Sequence, residues 1–155
     1  MRLPTLLPHT VVMADDARSN PQGYKGLRIY EQSHALSVKV HALSLQLPRF
    51  EMYEEGSQVR RSSKRVPAGI VEGYRQRRYR DDFIRYLYRS LGSSDETLEH
   101  LELLSETGSA AGHPEVRELI SAYESLSRQI AQFIMGVERS HTTPASVARP
   151  PSPGS

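Results

Sequence analysis

From Ser57 to Leu101, apolar or small side chains return every three or four residues: Val59, Ser62/Ser63, Val66, Ile70 and Tyr74, then Phe83, Leu87, Ser90/Leu91, Ser94, Leu98 and Leu101. That period puts them on one face of an α-helix and argues against a strand, whose faces alternate every second residue. The stretch is therefore expected to be a helical hairpin with a basic turn. It also sets strict packing terms, because Pro67, Gly69 and Gly73 fall inside its first arm. Pro67 removes a backbone donor and presses its ring on the carbonyl of Ser63, a cost of ~3 kcal/mol in an ideal helix. Each glycine adds roughly 1 kcal/mol more. Local propensity alone would break the chain here, so a continuous helix requires neighbouring helices to clamp it.

Three further stretches share the period. A first helix is expected over about Lys25 to Leu47 with two stripes, one of Leu27, Tyr30, His34, Val38, His41 and Leu45, the other of Ile29, Ser33, Leu36, Val40, Leu43 and Leu47. An apolar face that wide needs more than one neighbour. Pro48 ends it. The hairpin's first arm should begin near Glu51, where Glu51, Glu54 and Glu55 complement the helix dipole, and run to about Arg75. The second arm should run from about Tyr79 to Thr107-Gly108. With the turn centred near residue 77, Ser62-Ser63 is expected opposite Gly92-Ser93 in a close contact. The fourth helix should start at Pro114-Glu115, carry Val116, Leu119/Ile120, Tyr123, Leu126, Ile130, Phe133/Ile134 and Val137, and stop near Arg139. Short turns between such helices close naturally as an all-α, antiparallel, up-down-up-down four-helix bundle. The expected organisation is a disordered leader over 1–23, with Met13 an alternative start, a bundle domain over 24–139, and a disordered Pro-rich tail over 140–155.

Several chemistries have no residues to carry them. With no cysteine among 155 residues, disulfides, Cys-ligated metals and thiol nucleophiles are ruled out. No apolar run approaches the ~20 residues of a membrane span, so no membrane partner is expected and a cytoplasmic location is. Nucleophile elbow, phosphate loop and dinucleotide turn are all missing, so neither an enzyme nor a cofactor is expected. A di-metal carboxylate site is the outlying alternative. Glu31-x-x-His34 and Glu138-x-x-His141 have the spacing, with Glu72 and Asp82 at the same end of the expected bundle. The two glutamates lie beside the apolar stripes rather than on them, and His141 lies past the helix end. No metal is therefore expected, and His34 and His41 read as semi-buried packing.

Charge is more informative. Residues 57–89 carry ten basic and three acidic side chains, a balance of +7, whereas residues 92–126 carry one basic and eight acidic, a balance of −7. Arg60, Arg61, Lys64 and Arg65 are expected on one flank of the second helix. Arg75, Arg77, Arg78 and Arg80 crowd the turn beside Tyr74 and Tyr79, and Arg85 and Arg89 follow one turn apart. Arginine forks for phosphates beside tyrosine faces for bases are what nucleic-acid binding uses, so these ten residues form the candidate surface for RNA or DNA. The competing reading is a structural or protein-partner adaptor, with the arginines paired to Glu96, Glu99, Glu102, Glu118 and Glu124 or buried in subunit contacts.

These residues also carry a resemblance. Leu27-x-Ile29-Tyr30, Pro48, Gln58-Val59-Arg60-Arg61, the run Val66-Pro67-Ala68-Gly69-Ile70-Val71-Glu72-Gly73-Tyr74, Phe83-Ile84-Arg85-Tyr86-Leu87 and Gly92-Ser93-Ser94-Asp95-Glu96-Thr97-x-x-His100-Leu101 together resemble the bacterial four-helix bundle proteins encoded in intervening sequences of 23S ribosomal RNA genes. The likeness covers about Tyr24 to Val137, with Gly69 where the family usually has Asn. It implies a small antiparallel bundle that assembles into a ring, commonly a pentamer, without established enzymatic activity. The accessory protein of diversity-generating retroelements is similar, and implies a basic ring that engages nucleic acid and a reverse transcriptase. Arg60, Arg61, Pro67, Glu72, Gly73, Arg85 and Gly92 match the motif. A kink at Pro67, a buried polar partner at Glu72 and close contacts at Gly73 and Gly92 are the expected structural roles.

Overall fold

Four α-helices and two short 3-10 turns follow one another: Gly23–Gly26 (3-10), α1 Arg28–Ser44, Arg49–Met52 (3-10), α2 Glu55–Arg75, α3 Arg80–Glu106 and α4 Glu115–Ser140. They come from a computed structural model that describes residues 22–141; most of the expected leader and all but the first residues of the expected tail lie outside the described residues. No strand occurs among the described residues. The bounds differ from the sequence expectation mainly at α2. Glu51 does not open that helix but folds back beneath it: its carboxylate accepts the Glu55 backbone N–H (3.0 Å) and the Ser109 hydroxyl (2.8 Å). A buried carboxylate thereby satisfies one of the donors that every helix start leaves open.

Across the α2–α3 pair, partners run in opposite order. The Thr97 hydroxyl donates to Ser62 Oγ (2.9 Å), Ser90 Oγ donates to the Val66 carbonyl (2.9 Å), and a Cβ at Gly73 would lie 3.1 Å from Tyr86 Cβ. Pro67 is buried within an unbroken helix, and Ser90 bonds the carbonyl immediately before it. At Gly69 any Cβ would overlap Ser90 Oγ, so the two helices lie close together at the point where local propensity is weakest. The chain reverses over residues 76–79, as expected, yet Ser62 faces Thr97, about one turn along α3 from the expected Gly92-Ser93. Two expected roles are corrected as a result. Gly92 is exposed, and a Cβ added there would meet nothing within 4 Å; Glu72 is exposed rather than a buried partner.

Serines in the core cost little because they satisfy themselves. Ser33, Ser37, Ser44, Ser62 and Ser63 each donate to the carbonyl three residues back. Around them Val40, Val59, Val66, Ile70, Phe83, Leu87, Leu101, Leu104, Leu126, Ile130 and Ile134 form the apolar core. Tyr123 is wholly buried with its hydroxyl unpaired, and burial raises that hydroxyl far above the ordinary tyrosine range. Helix α3 ends where Gly108 turns left-handed (φ +79°) and donates to the Ser105 carbonyl.

One α1 stripe is absorbed and the other only in part, since Leu27 is buried and Tyr30 packs against the core. Ile29, Ser33, Val40, Leu43 and Leu47 are buried and Leu36 is half-buried, whereas His34, Val38 and Leu45 face solvent. His34 is thus exposed, not semi-buried; His41 is half-buried as expected. Replacing Gly69 by Val should destabilise the protein by about 2 kcal/mol through overpacking against Ser90. Gly92→Ala should be neutral or gain up to ~1 kcal/mol from helix propensity. Urea midpoints at one fixed protein concentration compare the two; equal effects would contradict this packing.

Candidate functional site

The ten basic residues separate into groups once the helices are in place. On α2, each step turns the side chain by about 100°, so Arg60 and Arg65 leave on opposite sides of the buried Val59–Ser63–Val66 row. Arg60 points toward α1: its guanidinium donates to the Met52 carbonyl (2.6 Å) and to Ser44 Oγ (3.3 Å). Arg65 points toward α3 and pairs with Glu96 at 3.5 Å. The expectation of one shared flank is corrected accordingly. Arg61 and Lys64, between them, are exposed.

At the turn, Arg77 is consumed locally. It donates to the Tyr74 carbonyl (3.0 Å) with its guanidinium carbon 4.0 Å above the Tyr74 ring. The buried His141 binds the Arg77 carbonyl through Nε2 and packs edge-on to Phe83. Arg80 donates to the Glu138 carbonyl (2.8 Å) and pairs with Asp81 (3.0 Å). The end of α4 therefore fastens the turn, and Arg75 and Arg78 project from it into solvent. Tyr74 is buried and covered, so it offers no base face, contrary to the sequence reading.

Along α3, Arg85 pairs with Asp82 at 2.7 Å, and the guanidinium carbons of Arg85 and Arg89 stand 5.8 and 5.2 Å from the Tyr86 ring centre. Tyr88 is half exposed, its hydroxyl 3.3 Å from Glu138 Oε1. These tyrosines are the aromatic faces that sequence reasoning overlooked. The pattern Arg85-Tyr86-Leu87-Tyr88-Arg89 held the signal, since a buried Leu87 forces its neighbours onto the two flanks.

Among the described residues, Arg61, Lys64, Arg75, Arg78 and Arg89 have no carboxylate within ion-pairing distance. Several acids near the start of α2 are engaged with other partners: Glu55 meets His100 Nδ1 at 2.6 Å, Glu96 lies 3.6 Å from His100 Nε2 and pairs with Arg65, and Glu51 holds Ser109. The residues considered for a di-metal site do not converge. Glu31, His34 and Glu72 are exposed, Asp82 holds Arg85, and His141 faces the turn. No group of three or more His, Asp or Glu side chains among the described residues is placed to hold a metal ion. No described helix is long and apolar enough to cross a membrane.

The division of labour is measurable. Arg60→Ala should lower stability by about 1–3 kcal/mol, the worth of charged hydrogen bonds to a part-buried carbonyl and hydroxyl. Arg78→Ala should change it by less than ~0.5 kcal/mol. Thermal melts of the two variants test this, and a stability loss confined to Arg78→Ala would contradict it.

Comparison with known proteins places the chain in a family. The family model described as 23S rRNA-intervening sequence protein matches residues 25–132. Among solved structures, a protein with unknown function from the S23 ribosomal protein family of Bacteroides thetaiotaomicron VPI-5482 is similar in fold. Its TM-score is 0.62 at 23% identity, over 69% of this chain and 95% of that one. No curated protein matches.

Proposed function

The chain belongs to the 23S rRNA-intervening sequence protein family, and from that premise we propose that it is a non-enzymatic, homo-oligomeric bundle that binds RNA or DNA through outer α2, the following turn and the first half of α3. The observation that carries this reading is the set of exposed, unpaired cations Arg61, Lys64, Arg75 and Arg78, with Arg89 one helix away. Cations gathered on one face without internal counter-charge raise a positive potential, and a polyanion laid on them releases its condensed counterions. Had the arginines served to pair with the acidic half of the chain, they would meet it; among the described residues the ion pair that joins the two stretches is Arg65–Glu96, and that exposed pair is worth ~0–1 kcal/mol.

The opposite order of contacts between α2 and α3, and between α3 and α4 through Tyr88–Glu138 and Ser94–Ser127, supports up-down-up-down closure. Assembly into a ring, in the resemblance a pentamer, is supported by the uncovered stripe on α1. Val38 and Leu45 are more than half exposed there, and Phe50 and Tyr53 continue as exposed apolar side chains into the next turn. A ring of this kind would act in the bacterial cytoplasm as accessory to a reverse transcriptase or another nucleic-acid enzyme. The adaptor reading differs in one respect: it puts the arginines between subunits.

Two measurements test the proposal. Binding of a fluorescent RNA or DNA should weaken steeply with salt, and the double variant Arg75→Ala/Arg78→Ala should reduce the log–log salt slope by roughly 1.5 to 2. Binding that ignores salt, or is unchanged in that variant, would overturn it. By light scattering the wild type should run at several times the protomer mass, and Val38→Glu/Leu45→Glu should dissociate it. A wild type that runs as a lone protomer would remove the assembly.

A further inference from the structure

We infer that the α3 part of this surface takes a single strand with its bases splayed apart, not a duplex. This rests on the nucleic-acid reading above and deepens it. Leu87 is fully buried, so the four residues around it are distributed about the rest of the helix circumference. Arg85 and Arg89, four apart, share the solvent ridge. Tyr86 and Tyr88 are roughly 200° apart around the axis and leave on opposite flanks. Their neighbours agree with that geometry: Tyr86 packs beside Gly73 of α2, while the Tyr88 hydroxyl reaches Glu138 of α4.

That spacing selects the partner. Neighbouring bases of one duplex strand are stacked about 3.4 Å apart along the axis, with their faces hidden against each other. Two rings on opposite sides of a helix roughly 10 Å across cannot both reach bases held in that way. A single strand crossing α3 can set its phosphate on the ridge and turn one base to each side. Arg89 is the ridge cation available for that phosphate, because Arg85 is already bridged to Asp82. On arrival of the strand, Arg89 exchanges its place over the Tyr86 ring for the phosphate and frees the part of that ring it covered, while Arg85 stays with Asp82 at 5.8 Å from the ring centre. Tyr88 is 52% exposed and needs no such exchange. Stacking on tyrosine tolerates any base, so the selection is for unpaired nucleic acid rather than for a sequence.

The test is fluorescence anisotropy of the full-length protein with oligothymidylate and with the duplex that it forms with oligoadenylate, at one salt concentration. The single strand should bind at least about tenfold more tightly. Tyr88→Leu should lose about 5- to 100-fold of that affinity, the usual worth of one stacked base, and keep the wild-type salt slope. Circular dichroism confirms that the variant is folded, and Tyr86→Leu provides a second, independent variant. Equal affinity for strand and duplex, or single-strand affinity unchanged in both folded variants, overturns the single-strand inference and leaves nucleic-acid binding standing. Binding to neither probe overturns both.

Discussion

The contact between α2 and α3 around Pro67, Gly69 and Ser90 is the constraint on which the remaining structure depends. Pro67 leaves one helical hydrogen bond unmade, and the glycines on its C-terminal side weaken the helix further. What the helix lacks in propensity is supplied by proximity. With no side chain at Gly69, Ser90 can reach the Val66 carbonyl, and Thr97 and Ser62 bond one further turn along. Fixing this register fixes which residues face outward on both helices. The outward placement of Arg61 and Arg75 on α2 and of Arg89 on α3 therefore follows from how the small residues of the two helices meet.

The same arrangement decides which charged side chains of a nearly balanced chain are spent internally. One end of the bundle is tied by Arg80 to the Glu138 carbonyl and by His141 to the Arg77 carbonyl; the other is tied by Glu51 to Ser109 and by Glu55 to His100. Arg75 and Arg78 are exposed at the first end, and Arg61 and Lys64 are exposed nearer the second. Arg60, Arg77 and Arg80 spend their hydrogen bonds on the protein's own carbonyls, which leaves Arg61, Lys64, Arg75, Arg78 and Arg89 as the cations available to a partner.

Much of this was legible in the residues themselves. Period and punctuation gave four helices, because Pro48, Gly108 and Pro114 act locally and the apolar spacing is unambiguous. The start of α2 was not legible, since a glutamate that caps a helix from below looks in sequence like one that begins it. Gly92 and Glu72 were misassigned for a related reason. A motif match carries no information on facing, and which side chains of two neighbouring helices meet depends on how each is rotated about its own axis as well as on where the turn falls. The ten basic residues were identifiable as a cluster, but their sorting depended on tertiary partners such as Ser44, Met52 and Glu138, each contributed by a different element from the arginine it binds. Tyr86 and Tyr88 were readable in principle from the symmetry of their surroundings about Leu87.

The second α1 stripe follows the same logic in reverse. Its apolar positions were plain in sequence, yet the bundle absorbs only half of them, and Val38 and Leu45 remain outside. A bundle with one apolar face uncovered and one basic face unpaired presents two surfaces that differ in chemistry. The most direct measurement of how they are used is arginine footprinting of the wild-type protein with phenylglyoxal, read by mass spectrometry with and without oligonucleotide. Arg75, Arg78 and Arg89 should react freely in the protein alone and be protected when nucleic acid is added, while Arg117 and Arg128 on α4 react equally in both. Protection of Arg75, Arg78 and Arg89 already in the free protein, or no change on adding nucleic acid, would contradict a surface kept open for phosphates.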